Sequence, residues 1–140
     1  LGHQAYMLEG VKSLLSVKPY HMKVETSDMV IEDDFIFGMI TNTISAGGFK
    51  GLVPQSVALN DGMFEVLLIR MPKTPLDLSN IISYMFLKEE QNEYVHKFKT
   101  SKLTLFSEEP VDWVLDGEFG GTRTEVTIEN LQNRINIIKI

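Results

Sequence analysis

Two carboxylates in this chain are each held beside a glycine. In Val114-Leu115-Asp116-Gly117-Glu118, alternation sends Val111, Trp113 and Leu115 to one face of a strand. The chain then breaks at Asp116-Gly117 and presents Glu118 just past the strand end. A carboxylate on a rigid element yet open to a substrate suits a general base. The same residues also read as an ordinary Asp-Gly turn with a solvated glutamate. The second site is Ala58-Leu59-Asn60-Asp61-Gly62-Met63. A carboxylate flanked by turn carbonyls offers the oxygen ligands that Mg²⁺ takes, while Asn-Asp-Gly equally explains itself as a hairpin turn.

Other chemistries find little support. The chain has no cysteine, which removes disulfides, thiolate catalysis and cysteine-ligated zinc. His3, His21 and His96 are scattered, with no second histidine at i+3 or i+4 that would make a metal pair, so they read as surface or packing residues. No serine sits in a G-x-S-x-G elbow. Glu32-Asp33-Asp34 reads as a solvated hairpin tip.

The elements that must carry these residues follow from pattern. The 140 residues, 44% hydrophobic and 23% charged, fit one globular domain over 1–140. Ala5, Leu8, Val11 and Leu15 recur at helical spacing, which predicts a helix ending by Pro19. Thr74-Pro75-Leu76-Asp77 supplies an N-cap, a proline at the first helical position and an acid at the third, with Leu78, Ile81, Ile82 and Met85 as its apolar stripe. Tyr20 to Thr26 alternates, with Tyr20, Met22 and Val24 on one face and His21, Lys23 and Glu25 on the other. Further strands are expected over 34–43, 63–70, 94–100, 102–106, 111–115, 125–128 and 134–140, separated by Asp33-Asp34, Asn60-Asp61-Gly62, Glu109-Pro110 and Gly120-Gly121. Short strands with two helices among them predict a mainly β fold, an antiparallel β-sandwich or distorted barrel. The stretch 43–60, with Ala46-Gly47-Gly48-Phe49-Lys50-Gly51 and Pro54, has no periodicity; it is either a crossover between sheets or a binding loop.

Net charge −6 argues against non-specific nucleic-acid binding and against electrostatic docking on an anionic bilayer. The longest apolar runs, such as Val66-Leu67-Leu68-Ile69, fall far short of the ~20 residues that span a bilayer. No signal peptide is recognised at the start, so a cytoplasmic setting is expected. The chain opens at Leu1 rather than methionine and reads as a piece of a longer protein.

Three stretches, in register, resemble one family. Ala46-Gly47-Gly48-Phe49, Pro54 and Ala58-Leu59-Asn60-Asp61-Gly62-Met63-Phe64 resemble the G-G…P…A-x-x-x-D-G-x-F region of the diacylglycerol kinase catalytic superfamily. Trp113-Val114-Leu115-Asp116-Gly117-Glu118 resembles its D-G-E motif, and Leu1-Gly2-His3-Gln4-Ala5-Tyr6 the L-G-x-x-A-Y opening of a helix in the bacterial lipid kinases. The resemblance implies the C-terminal β-sandwich lobe of a two-lobe, ATP-dependent lipid kinase. The partner lobe, which binds ATP through G-G-D-G-T, has no counterpart here. By the same resemblance Glu118 is the proton acceptor from the lipid hydroxyl, and Asp61 binds Mg²⁺ with the carbonyls of Ala58 and Met63. The implied partners are a lipid at the membrane surface and the protein's own N-terminal nucleotide-binding lobe, with the isolated lobe inactive. Two other readings remain: a non-catalytic β-sandwich binding module, and a sphingoid-base kinase of the same family.

Overall fold

A computed structural model gives the fold and describes residues 16–42, 62–87 and 92–131. The elements are β1 (Tyr20–Glu25), β2 (Val30–Thr41), β3 (Phe64–Arg70), α1 (Pro75–Leu87), β4 (Val95–Thr100), β5 (Lys102–Leu115) and β6 (Glu118–Glu129). The expected first helix, the glycine-rich stretch 43–60 and the expected strand 134–140 lie outside the described residues.

The mainly β, antiparallel expectation holds. The six strands form one open sheet in the order β4-β3-β2-β1-β5-β6, every neighbouring pair antiparallel. One connection dictates its shape. Thr100 ends β4 and Lys102 begins β5, so a single residue, Ser101, joins strands that three others separate in the sheet. Neighbouring strands lie about 4.8 Å apart, so the sheet must coil until the end of β4 meets the start of β5. Thr100 secures the corner: its hydroxyl donates to the Lys102 carbonyl at 2.8 Å, and the Asn130 amide donates to the Ser101 carbonyl at 2.8 Å.

Coiling gives the sheet an inner face. Val24, Phe35, Val66, Leu68, Leu103 and Leu105, from four strands, form its buried core. On the opposite face of β3 and β4, Ile81 and Tyr84 of α1 pack on Leu67, Ile69, Tyr94 and Val95. Strand β3 is therefore covered on both sides, which explains why its sequence is a continuous apolar run rather than an alternation. Even Glu65, 4% exposed, is buried there, paired across the strands with Lys99 at 3.0 Å.

Helix α1 starts as its sequence requires. Asp77 accepts from the amides of Thr74 (2.9 Å) and Lys73 (3.1 Å), and the Thr74 hydroxyl accepts from the Asp77 amide at 3.2 Å. This is a reciprocal capping box. Leu78 and Ile81 are buried and Ile82 half-buried; the side chain of Met85 lies outside the described ones.

Three turn assignments are corrected. Glu32-Asp33-Asp34 lies within β2, and the β1–β2 reversal is at Thr26–Met29, where the Thr26 amide donates to the Met29 carbonyl at 2.9 Å. Glu109-Pro110 is no turn either: β5 runs through it, with a register irregularity against β6 between Phe106 and Val111. Proline cannot donate to a ladder, and a bulge is where a strand tolerates it. Gly120-Gly121 lies inside β6 at a second irregularity, opposite Trp113.

The acids moved off the tip also re-assign a histidine. His21 on β1 stands directly across from Asp34 on β2. Its Nδ1 is 2.8 Å from Asp34 Oδ1 and its Nε2 3.0 Å from Glu32 Oε1. The hydrogen bond to Asp34, then that to Glu32, with Glu108 adding charge from β5, raises its pKa from 6.5 to about 8. The folded state therefore binds the proton more tightly, and the stability gained is complete below 6.5 and lost as pH rises through about 8. The melting-temperature gap between the parent protein and His21→Gln should be widest at about pH 6 and close towards about pH 9; thermal melts across that range check it, and a gap independent of pH would refute the clamp.

Candidate active site

Asp116 and Gly117 have φ of 50° and 83°. Two successive residues at positive φ between paired Leu115 and Glu118 make a two-residue hairpin of type I′, the turn whose twist matches its strands. The Asp-Gly signal is thus a turn, and it is also what fixes Glu118. As the first residue of β6, paired with Leu115, Glu118 is held by a ladder on one side and by the turn on the other. It is exposed, and its carboxylate has no hydrogen-bond or ion-pair partner among the described residues.

Beside this tip lies an apolar cleft of ≈ 650 Å³, a size typical of small-molecule sites. Its origin is the brevity of β1. Tyr20, the first residue of β1, pairs with Phe35, and Met22 with Ser107. The outer halves of β2 and β5 run on past that point with no described strand between them. Phe35, Gly38 and Ile40 wall one side, Trp113 and Leu115 the other, and Asp112 is the one carboxylate in the lining. Glu118 is one cross-strand step from Leu115, so the carboxylate stands at the rim of a space suited to hydrocarbon. Val114, Leu115 and Phe119 are 68%, 60% and 71% exposed, so the rim itself is greasy.

Two glycines shape the tip. A Cβ on Gly120 would lie 2.6 Å from Leu115 Cγ, because the leucine side chain lies across that backbone. Gly121 has φ 107°, which the irregularity opposite Trp113 demands. The pair that reads in sequence as a turn is thus a packing platform for Leu115.

The metal candidates divide. Asp61 and Ala58 lie outside the described residues; Met63 lies within them, just before β3 and after Gly62, whose φ is 74°. Among the described residues no group of three or more His, Asp or Glu side chains could hold a metal ion. One carboxylate with two main-chain carbonyls is nonetheless the all-oxygen donor set that Mg²⁺ accepts, its remaining positions left to water. Sequence spacing missed His21 and its two acids because their contact is cross-strand. It missed the cleft because its walls come from strands far apart in the chain, which leaves no local signal.

No protein-family model matches the chain. Individual proteins do. A diacylglycerol kinase of Bacillus subtilis is 29% identical over 140 residues, 99% of this chain and 45% of that protein. The "probable lipid kinase YegS-like" protein of Shewanella frigidimarina is 27% identical over 84% of this chain and 38% of its own length. Among solved structures, that of a diacylglycerol kinase from Bacillus anthracis superposes with a TM-score of 0.65 at 18% identity, over 89% of this chain and 42% of that one. Another structure from that organism gives 0.70 at 20% identity, over 91% and 43%. These structural likenesses show a shared fold. The sequence relatives are diacylglycerol kinases and YegS-like lipid kinases, and the chain, similar to them over most of its own length, spans less than half the length of the curated relatives it matches.

The packing at the tip yields a test. Gly120→Ala must push Leu115 off its seat and should cost about 1–3 kcal/mol, read as a lower melting temperature. An unchanged melting temperature would show that Leu115 does not rest on Gly120.

Proposed function

We propose that the chain is the lipid-facing lobe of an ATP-dependent kinase that transfers the γ-phosphate of ATP to the hydroxyl of a diacylglycerol-like lipid. The observation that carries this reading is the exposed carboxylate of Glu118, held by a rigid hairpin at the rim of an apolar cleft. Similarity to diacylglycerol and YegS-like lipid kinases supports it. The acyl part of the lipid lies along Phe35, Ile40 and Trp113, which leaves its hydroxyl at the rim beside Glu118. Glu118 accepts the hydroxyl proton as the oxygen bonds to the γ-phosphorus and the bond from that phosphorus to the ADP oxygen breaks. Phosphoryl transfer asks the protein chiefly for positioning and charge compensation, and the hairpin ladder supplies the positioning. ATP is held by a nucleotide-binding lobe of the full-length protein, so this domain, 1–140, is inactive alone.

No helix among the described residues is long and apolar enough to cross a membrane. The protein works in the cytoplasm and meets its lipid at the bilayer surface, where Val114 and Leu115 border the cleft. Asp61, with the carbonyls of Ala58 and Met63, holds Mg²⁺. When bound, the ion would supply fixed positive charge to offset the negative charge of the nucleotide phosphates.

In the full-length protein, Glu118→Gln should lower kcat about 10²–10⁴-fold with melting temperature and ATP affinity kept, measured by phosphate transfer to diacylglycerol in mixed micelles. Turnover equal to that of the parent protein would remove Glu118 as the base. Asp61→Ala should abolish the Mg²⁺-dependent rise in melting temperature and reduce activity with it. Equal Mg²⁺ affinity by calorimetry in parent and variant would take Asp61 out of the metal site.

A further inference from the structure

Gly38 is a glycine that the backbone does not require. It lies in the interior of β2, paired with Leu68 of β3, and its φ is not among the positive ones. Any residue could adopt that conformation, and a strand interior ordinarily disfavours glycine. Its neighbours on the inner face, Phe35 and Ile40, are large. The irregularity between Phe35 and Phe37 resets the alternation so that 35, 38 and 40 share this face. Among the described residues a Cβ built on Gly38 meets one side chain, Leu68 Cδ2 at 3.3 Å. Beyond it lies the cleft, which Gly38 and Leu68 both line. A glycine inside a strand that neither turns nor packs marks a place where something else approaches the backbone closely.

We propose that Gly38 is a specificity-determining position: lacking a side chain, it keeps the β2 wall open to a long acyl chain. This rests on the lipid-kinase reading and deepens it, since it names which part of the lipid the wall selects. Alanine at 38 moves Leu68 by a few tenths of an ångström and narrows the cleft slightly. Valine, which suits a strand, projects both methyls into the space between Phe35 and Ile40. A short acyl chain has less hydrocarbon to place against that wall, whereas a long one must pass it.

The test compares full-length parent protein, Gly38→Ala and Gly38→Val, first checked by circular dichroism. Each is assayed for phosphorylation of dioctanoylglycerol and dipalmitoylglycerol in mixed micelles, and for binding of cis-parinaric acid, a fluorescent long-chain fatty acid. The expected result is a fall of about tenfold or more in the long-to-short ratio of kcat/KM for Gly38→Val and a smaller fall for Gly38→Ala. An unchanged ratio in the folded variants overturns the proposal while the kinase reading stands. Should Gly38→Val fail to fold, the ratio in Gly38→Ala decides. Should the parent phosphorylate neither lipid, the kinase reading fails. Parinaric acid binding then decides for Gly38: weaker binding in the variants supports the cleft wall, and equal binding overturns it.

Discussion

Among the described residues Ser101 is the shortest link and the one with the longest reach. It joins β4 to β5, while β3, β2 and β1 stand between them in the sheet. A covalent step of one residue cannot cross that distance in a flat sheet, so the sheet coils. Coiling creates the inner face on which Val24, Leu68, Leu103 and Leu105 are nearly fully buried. Remove that coil and the outer halves of β2 and β5 would not face one another, and there would be no cleft for Trp113 and Leu115 to line.

The fold has two apolar environments with different tasks. Between α1 and the sheet, Ile81 and Tyr84 against Leu67, Ile69 and Val95 make a closed core, sealed at its edge by Lys97 lying 5.0 Å over the Tyr84 ring. Inside the coil, packing among the described residues is complete where β1 fills the sheet and open where β1 ends. The contrast is one of strand length: β1 has 6 residues, β2 has 12 and β5 has 14. Water excluded from the first environment stabilises the fold; the apolar surface left in the second is what a hydrocarbon ligand would cover.

Charge is arranged in cross-strand pairs on the sheet. Asp33 meets Arg70 at 2.6 Å, Lys99 meets the buried Glu65, and His21 bridges Glu32 and Asp34. The acids that might have repelled one another along β2 are thus separated, Asp33 towards the inner face and its two neighbours towards the outer. His96 behaves oppositely to His21: burial first, then the nearby Arg70 charge, lowers its pKa, and its ring meets Phe35 edge-on with centroids 6.2 Å apart. Two histidines in one sheet therefore titrate in opposite directions, according to whether carboxylates or hydrocarbon surround them.

What could be read from the sequence was whatever neighbours in the chain decide for themselves. The Thr74-to-Asp77 cap, the facing of Tyr20, Met22 and Val24, and the Asp116-Gly117 reversal each depend on contacts within a few residues, and each is found as expected. Glu118 at a strand end followed from the same local logic. The irregularities at Ile36, Pro110 and Gly120, the partners of His21, and the cleft were set by tertiary structure alone. A period of two names the face of a residue only while no extra residue intervenes, and a cavity is made by elements far apart in the chain. Local chemistry wrote the hairpin that holds the carboxylate; the coil of the whole sheet decided that it would stand beside a space for hydrocarbon.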